Sequence, residues 1–166
     1  MSKPVIAVVG GTGTQGGSVV DALLERGEFA VRVLTRNPES EKAQALAARG
    51  VQLVAADLSD PSSLLAAFEG AHGAFVVTNF WDPSTGLAET EQGNAAVAAV
   101  KKAGVSHIIW STLANVKEHS GGALDVPHFT GKAQVDATVA AAGFGHHTFV
   151  QAPFYFQNFT GMLAPQ

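Results

Sequence analysis

The sequence predicts an α/β fold of the Rossmann type, a three-layer α/β/α arrangement around a doubly wound parallel sheet of about six strands. Two observations predict it. Short apolar, β-rich runs alternate with longer segments of helical periodicity, and a glycine-rich turn follows the first of these runs. The alternation is typical of βαβ units, because parallel strands need a long crossover connection that is usually a helix.

The apolar runs predict the individual strands. They are Val5–Val9, Ala30–Leu34, Val51–Ala55, Ala74–Val77, Val105–Trp110 and Thr148–Gln151. The predicted helices contain the stripe Val19, Val20, Leu23 and Leu24, then Pro38–Arg49, a helix capped by Asp60, Gly86–Ala103 and Phe129–Ala142. A glycine is expected to end each helix, at Gly27, Gly50, Gly70, Gly104 and Gly143.

Composition narrows the class of protein. The 166 residues are 46% apolar and 14% charged, the net charge is −4 with neutral histidines, and there is no cysteine. Thiol chemistry is therefore excluded, and the acidic balance argues against nucleic-acid binding, which depends on phosphate neutralisation. No apolar stretch reaches the roughly 20 residues that cross a bilayer. The start, MSKPVIAVVGG, lacks a signal cleavage site, so we expect a cytoplasmic protein.

The strongest chemical signal is the segment VVGGTGTQGGSVVDALL, a strand followed by a glycine-rich turn and a helix. Gly10 is expected to allow the tight turn, Gly13 to let the backbone approach a pyrophosphate, and Gly16 to permit close helix packing. The helix N-terminus supplies unpaired N–H groups and partial positive charge. Thr12 and the pair Thr14 and Gln15 add polar side chains, so this turn predicts a dinucleotide site.

Arg36, at the end of the second strand, indicates which dinucleotide. NAD sites normally place a carboxylate there for the ribose 2′-hydroxyl, whereas a guanidinium can bind a 2′-phosphate with paired hydrogen bonds. NADP is therefore favoured over NAD, although a solvated turn residue before Pro38 is the alternative. Asp57, just after the third strand, has two readings, a turn or capping residue and an adenine contact.

Two loops follow the carboxyl ends of predicted strands, Thr78–Thr85 and Ser111–Pro127. Ligands of open α/β sheets bind at that edge, and loops of the second length are usually functional. We expect both loops to form pocket walls.

These motifs together resemble the NmrA-like family, atypical members of the short-chain dehydrogenase/reductase superfamily. The resemblance rests on GGTGTQGGSVV, VRVLTRNP, the Asp57-Leu58 pair, VTNFW, the segment Ser111–Val116, HFTGK and PFYFQN, in that order and across essentially the whole chain. The sequence especially resembles the members described as NADP-sensing redox regulators. Such proteins bind a protein partner differently as the cofactor ratio changes.

The resemblance implies a Rossmann domain over residues 1–153 that binds NADP(H). Beside the phosphates it implies Gly10, Gly11, Thr12, Gly13, Thr14, Gln15, Gly16 and Arg36, and near the adenine Asp57 and Leu58. Along the middle of the cofactor it implies Thr78, Asn79 and Phe80, by the nicotinamide ribose Lys132, and closing over that end Tyr155, Phe156, Gln157 and Asn158.

Members of the family run to about twice this length, because a carboxy-terminal subdomain covers the substrate side. Residues 154–166 are accordingly expected to begin a truncated or absent subdomain, which would leave the substrate pocket open. An uncovered sheet edge favours self-association, so a homodimer is one expected state.

Catalysis is the open question. The superfamily usually places a Tyr four residues before a Lys, on one helix face. Here Lys132 is present and His128 stands at the Tyr position, while the superfamily's Ser corresponds to Ser111 or Thr112. Two hypotheses follow, a redox-sensing regulatory domain and, alternatively, an NADPH-dependent reductase of a quinone or other carbonyl substrate, with Lys132 and a hydroxyl or His128 polarising the oxygen. No metal site is expected, since His146-His147 lacks a third ligand at a recognisable spacing.

Overall fold

A computed structural model describes residues 2–82 and 88–160. Its parallel sheet has six strands in the order β3-β2-β1-β4-β5-β6. The strands are β1 Val5–Val9, β2 Ala30–Thr35, β3 Gln52–Ala55, β4 Gly73–Val76, β5 His107–Thr112 and β6 His146–Gln151. This order is that of a Rossmann fold and confirms the predicted doubly wound sheet.

The edge strand β6 is longer than predicted. It begins at His146 rather than Thr148, because the backbone pairs with β5 from His107↔His146 onwards. Its side chains are almost all exposed, so the sequence lacks the apolar run that marks a buried strand. Strand β5 covers His107–Thr112 rather than the predicted Val105–Trp110, which places Ser111 and Thr112 in the sheet rather than in the following loop.

The helices alternate with the strands. They are α1 Thr14–Arg26, α2 Glu41–Ala47, α3 Pro61–Phe68, α4 Glu89–Lys102, α5 Val116–His119 and α6 Pro127–Ala141, and a 3₁₀ helix covers Phe156–Thr160. Asp60 caps α3 as predicted, accepting the N–H of Ser62. Helix α2 begins later than Pro38 because Ser40 caps it, accepting the N–H of Ala43 at 3.3 Å. The predicted start of the fourth helix, Gly86, lies outside the described residues.

Two buried clusters fill the two faces of the sheet. Alternate residues of β1 point to opposite faces, so Ala7 and Val9 join one cluster while Ile6 and Val8 join the other. The first is closed by α3, α4 and α6, and the second by α1 and α2. Five of the glycines that adopt a left-handed conformation follow helices as predicted, at positions 27, 50, 70, 104 and 143. None of the helices within the described ranges is long and apolar enough to cross a membrane.

Candidate functional site

A cleft of about 600 Å³ opens at the carboxyl edge of the sheet, where β1 to β4 end. Of the residues predicted to bind a cofactor, those that line it are Gly10, Thr12, Gly13, Thr14, Gln15, Gly16, Arg36, Asp57, Leu58, Thr78, Asn79 and Tyr155. The lining does not include Gly11, Phe80, Lys132, Phe156, Gln157 or Asn158. The sheet thus gathers at one edge residues that lie far apart in the chain.

The glycine turn between β1 and α1 forms the floor of the cleft. Gly10 has φ of +68°, a conformation that disfavours other residues, and its carbonyl accepts the N–H of Gly13 at 2.9 Å. Gly16 lies against this carbonyl so closely that a Cβ would collide with it. Helix α1 begins at Thr14, so the N–H groups of its first turn have no partner within the helix and are available to an anion.

Gly11 belongs to the core side of the turn. It is buried, and an added Cβ would lie 2.5 Å from Cγ2 of Val33. Its requirement for glycine is therefore explained by packing of the turn on β2.

Arg36 and Asp82 face each other across the cleft. The Arg36 Nη2 atom donates to Oδ2 of Asp82 at 2.6 Å, with 51% of the Arg36 side chain and 15% of the Asp82 side chain exposed. Arg36 is thus an ion-paired residue that lines the cleft with about half of its side chain exposed. Asp82 belongs to the loop Thr78–Thr85, whose last three residues lie outside the described part of the chain.

Asp57 makes the turn interaction considered for it and also lies at the cleft. Its Oδ1 atom accepts the N–H of Ser59 at 2.8 Å, which is a turn interaction, and the residue also lines the cleft beside Leu58. Gln92, a buried residue of α4, lines the same region and donates from Nε2 to the Ser59 hydroxyl at 3.2 Å. No sequence motif singles out Gln92, since it occupies an ordinary helical position.

Lys132 lies in a closed, buried network. Its Nζ atom is 2.7 Å from Oε1 of Glu89, 2.8 Å from the carbonyl oxygen of Thr78 and 2.9 Å from the Thr78 hydroxyl oxygen. The Thr78 hydroxyl in turn donates to Oε1 of Glu89 at 2.7 Å. Burial lowers the pKa of Lys132, and the Glu89 carboxylate opposes that shift. The three oxygens of Glu89 and Thr78 around Nζ equal in number the three N–H donors of the ammonium group.

Glu89 was missed by sequence reasoning. It stands in the first turn of α4, where an acidic residue is common, and nothing in the sequence pairs it with α6. Its side chain is only 5% exposed. Its second carboxylate oxygen, Oε2, is buried without a hydrogen-bond partner among the described residues.

Ser111 and Tyr155 meet at Gln15. Both hydroxyls donate to Oε1 of Gln15, from Ser111 at 2.9 Å and from Tyr155 at 3.1 Å. Burial raises the pKa of Tyr155, so the phenol keeps its proton at neutral pH. The neighbouring Phe156 side chain points outward and is 84% exposed, and Gln157 is exposed as well. Of the segment predicted to close over the cofactor, Tyr155 alone lines the cleft.

His128 lies in an aromatic cluster. Its ring centroid is 5.7 Å from Phe80, 5.2 Å from Trp81 and 4.8 Å from Phe129. Phe80 and Trp81 are 40% and 72% exposed, so the cluster faces solvent.

The hydroxyl of Thr112, the second candidate for the superfamily's Ser, donates to the carbonyl of Leu113 at 3.3 Å. No group of three His, Asp or Glu side chains within residues 2–82 and 88–160 is arranged to hold a metal ion.

The strand order, the glycine turn and the cleft at the carboxyl edge define an α/β domain of the dinucleotide-binding Rossmann class. The model of the NmrA-like family matches residues 2–166, and the chain therefore belongs to that family, as the sequence motifs indicated.

Three relatives illustrate the similarity. The chain is 39% identical over 165 residues to himF, an NmrA-like family domain-containing oxidoreductase of Aspergillus japonicus, covering 98% of this chain and 49% of the relative. It superposes with TM-score 0.82 and 30% identity on NmrA, a negative transcriptional regulator, covering 95% of this chain and 48% of NmrA. The third is an NADPH-dependent quinone oxidoreductase of Escherichia coli, in complex with NADPH, with TM-score 0.73, 26% identity and coverage of 93% and 51%.

NmrA has been crystallised both with NADP and with NAD. The chain spans about half the length of these relatives.

Proposed function

We propose that this chain binds NADP(H) in the cleft at the carboxyl edge of the sheet and acts as a redox-sensing regulatory domain. The observation that carries the proposal is the placement of Arg36 and the glycine turn in one cleft of about 600 Å³. The turn offers the first-turn N–H groups of α1 to a pyrophosphate. Arg36, at the end of β2, offers a guanidinium to a 2′-phosphate.

The regulatory half of the proposal rests on how the loop after β4 is held. Thr78, at its start, is bound by Lys132 and Glu89, and Asp82 is bound by Arg36. A cofactor that binds Arg36 would therefore change the contact between Arg36 and Asp82, which belongs to this loop. A ligand shifts a conformational equilibrium only as far as it binds one state better than the other. We expect a regulatory protein partner to bind the surface that this loop forms.

The first test is parallel calorimetric titration with NADP, NADPH, NAD and NADH. We expect the two phosphorylated cofactors to bind more tightly, and Arg36→Glu to weaken NADP far more than NAD because it places a carboxylate beside the 2′-phosphate. Equal losses for NADP and NAD would contradict the role of Arg36. Absence of binding by all four would contradict the site itself.

Redox sensing requires unequal affinity for NADP and NADPH. The corresponding structural readout is protease protection of the loops after β4 and β5 with each cofactor present. Identical affinity and identical protection with the two forms would reject the sensing role and leave only cofactor binding.

An NADPH-dependent reductase of a quinone or other carbonyl compound is the second candidate, favoured by the two hydroxyls that meet at Gln15. A protonated Tyr155 beside Ser111 is a proton donor at the cleft, which carbonyl reduction needs when hydride reaches the carbonyl carbon. The similarity to an E. coli quinone oxidoreductase supports the same reaction class. Lys132 is less suited to polarise the carbonyl, since its donors already meet three oxygens.

Oxidation of NADPH across a panel of quinones and other carbonyl compounds tests this candidate. We expect Tyr155→Phe to lower kcat while cofactor affinity is retained. Absence of NADPH oxidation by the wild-type chain with every compound of the panel would reject the reductase candidate.

The remaining parts of the proposal concern the whole protein. They are a Rossmann domain that ends near residue 153, a cytoplasmic location and a homodimer formed through an uncovered sheet edge. The exposed strand β6 supports the last of these, and light scattering over a range of concentrations tests it.

A further inference from the structure

The carboxylate of Asp82 accepts a hydrogen bond from the guanidinium that the proposed function assigns to the 2′-phosphate. The two side chains are 2.6 Å apart, and both line the cleft. Asp82 is held in place by its own loop, because its N–H donates to the carbonyl of Asn79 at 3.3 Å, while Oδ1 of Asn79 accepts the N–H of Trp81 at 3.1 Å. The carboxylate therefore reaches Arg36 from an ordered turn.

A phosphate and a carboxylate compete for the same donors. Both accept paired hydrogen bonds from a guanidinium, and a phosphate placed beside a carboxylate is repelled by the like charge. A 2′-phosphate that binds Arg36 through Nη2 therefore competes with the Asp82 carboxylate for that atom. NAD carries a hydroxyl at that position, which makes no such demand and can donate to a carboxylate.

We propose that Asp82 is a specificity-determining residue, which competes with the 2′-phosphate for Arg36 and narrows the preference for phosphorylated over non-phosphorylated cofactor. This inference rests on the proposed function, since it requires the cofactor to bind with its 2′-phosphate at Arg36. This competition makes the loop after β4 sensitive to whether the bound cofactor carries a 2′-phosphate. The residue next to Asp82 offers a readout, because Trp81 is 72% exposed and packs on Phe80 at 5.0 Å between ring centroids.

The test compares Asp82→Asn with the wild-type chain in calorimetric titrations with NADP and NAD at low salt. Asparagine keeps the size of the side chain and removes its charge. We expect the ratio of the NAD to the NADP dissociation constant to rise about two- to fivefold, the range that a partly exposed ion pair contributes. Higher ionic strength should shrink the difference between variant and wild type.

Glu39→Gln is the matched control. Glu39 is an exposed carboxylate three positions from Arg36, so its removal changes the net charge equally without breaking the pair with Asp82. The control should leave the ratio near the wild-type value. A ratio in Asp82→Asn that equals the control, or falls below it, would overturn the inference while NADP binding by the wild type upholds the proposed function. Failure of the wild type to bind NADP would overturn both.

A second measurement needs no variant at position 82. Adenosine 2′,5′-bisphosphate carries the 2′-phosphate without nicotinamide, and adenosine 5′-monophosphate lacks that phosphate. We expect the bisphosphate to change Trp81 fluorescence and the monophosphate to leave it nearly unchanged at matched occupancy. Trp81→Phe, which leaves only the buried Trp110, should lose the signal. Equal changes with the two nucleotides would overturn the inference.

Discussion

The ammonium nitrogen of Lys132 lies 2.7 Å from Oε1 of Glu89, and the two side chains are only 12% and 5% exposed. This ion pair joins α6 to the first turn of α4, and Lys132 also binds the Thr78 carbonyl in the loop after β4. It is a buried interaction between segments that are far apart in the chain. Its contribution to the free energy of unfolding can be compared with that of an exposed ion pair in the same chain.

Glu89→Ala is expected to lower the free energy of unfolding by about 3 kcal/mol, because it leaves the buried Lys132 ammonium without its counter-charge. Urea denaturation measures the loss. Asp21→Ala is the control, since Asp21 pairs with Arg49 at the same 2.7 Å but both side chains are about half exposed, at 63% and 47%. The control should cost less than about 1 kcal/mol. Equal losses would contradict the role given to burial.

Gly16→Ala is expected to destabilise the fold by about 1–3 kcal/mol and to weaken cofactor binding, because the new methyl group meets the Gly10 carbonyl. Gly17→Ala, one position along the same helix, places its methyl group 3.4 Å from the Gly11 carbonyl. It should be neutral or stabilising by up to about 1 kcal/mol, as alanine favours helix. Thermal unfolding compares the two, and a loss of similar size in Gly17→Ala would contradict this assignment.

Gly93→Ala should destabilise the contact between α4 and α6. An added Cβ would lie 2.7 Å from Cγ2 of Val135 and 3.0 Å from the ring of Trp110. We expect a loss of about 1–3 kcal/mol. Adding Val135→Ala makes room for the methyl group, so the double variant should lose less than the sum of the single losses. Simple additivity in urea denaturation would show that this close approach is not the cause.

His107 predicts a pH dependence. Its pKa is lowered from 6.5, chiefly by burial and then by the neighbouring His146, His72 and His147. Between the lowered value and 6.5 the unfolded chain binds more protons than the native one, so stability falls as the pH drops through this window. His107→Gln, which can keep the contact with the Thr148 hydroxyl, should flatten that slope.

Denaturation midpoints measured from pH 5 to 7 check the His107 prediction. His119→Gln, an exposed histidine on α5, is the control and should retain the wild-type slope. A slope unchanged in His107→Gln would assign the acid sensitivity to other groups.

The interior strands and the glycine turn could be predicted because local signals specify them. Strand β1 is an uninterrupted apolar run buried on both faces, which is the pattern of a central parallel strand. The turn needs a left-handed residue at Gly10, and glycine adopts that conformation at little cost. Asp60 could be identified as a cap because it directly precedes Pro61 at the start of a helical pattern, and its side chain bonds to a residue only two positions away.

The exposed edge strand was harder to predict. Strand β6 has one backbone partner and little buried side-chain surface, so its first residues, His146 and His147, carry no apolar signal. Its start is set by pairing with β5, which is a property of the assembled sheet.

The sequence by itself determined the α/β class, the glycine turn and the presence of a guanidinium at the end of β2, because these depend on residues close together in the chain. Only the tertiary structure decided which charged and polar side chains meet. Arg36 pairs with Asp82, Lys132 with Glu89, and Tyr155 shares Gln15 with Ser111. The physical reason is that these contacts form across packed elements, so they depend on strand order and helix packing rather than on sequence spacing.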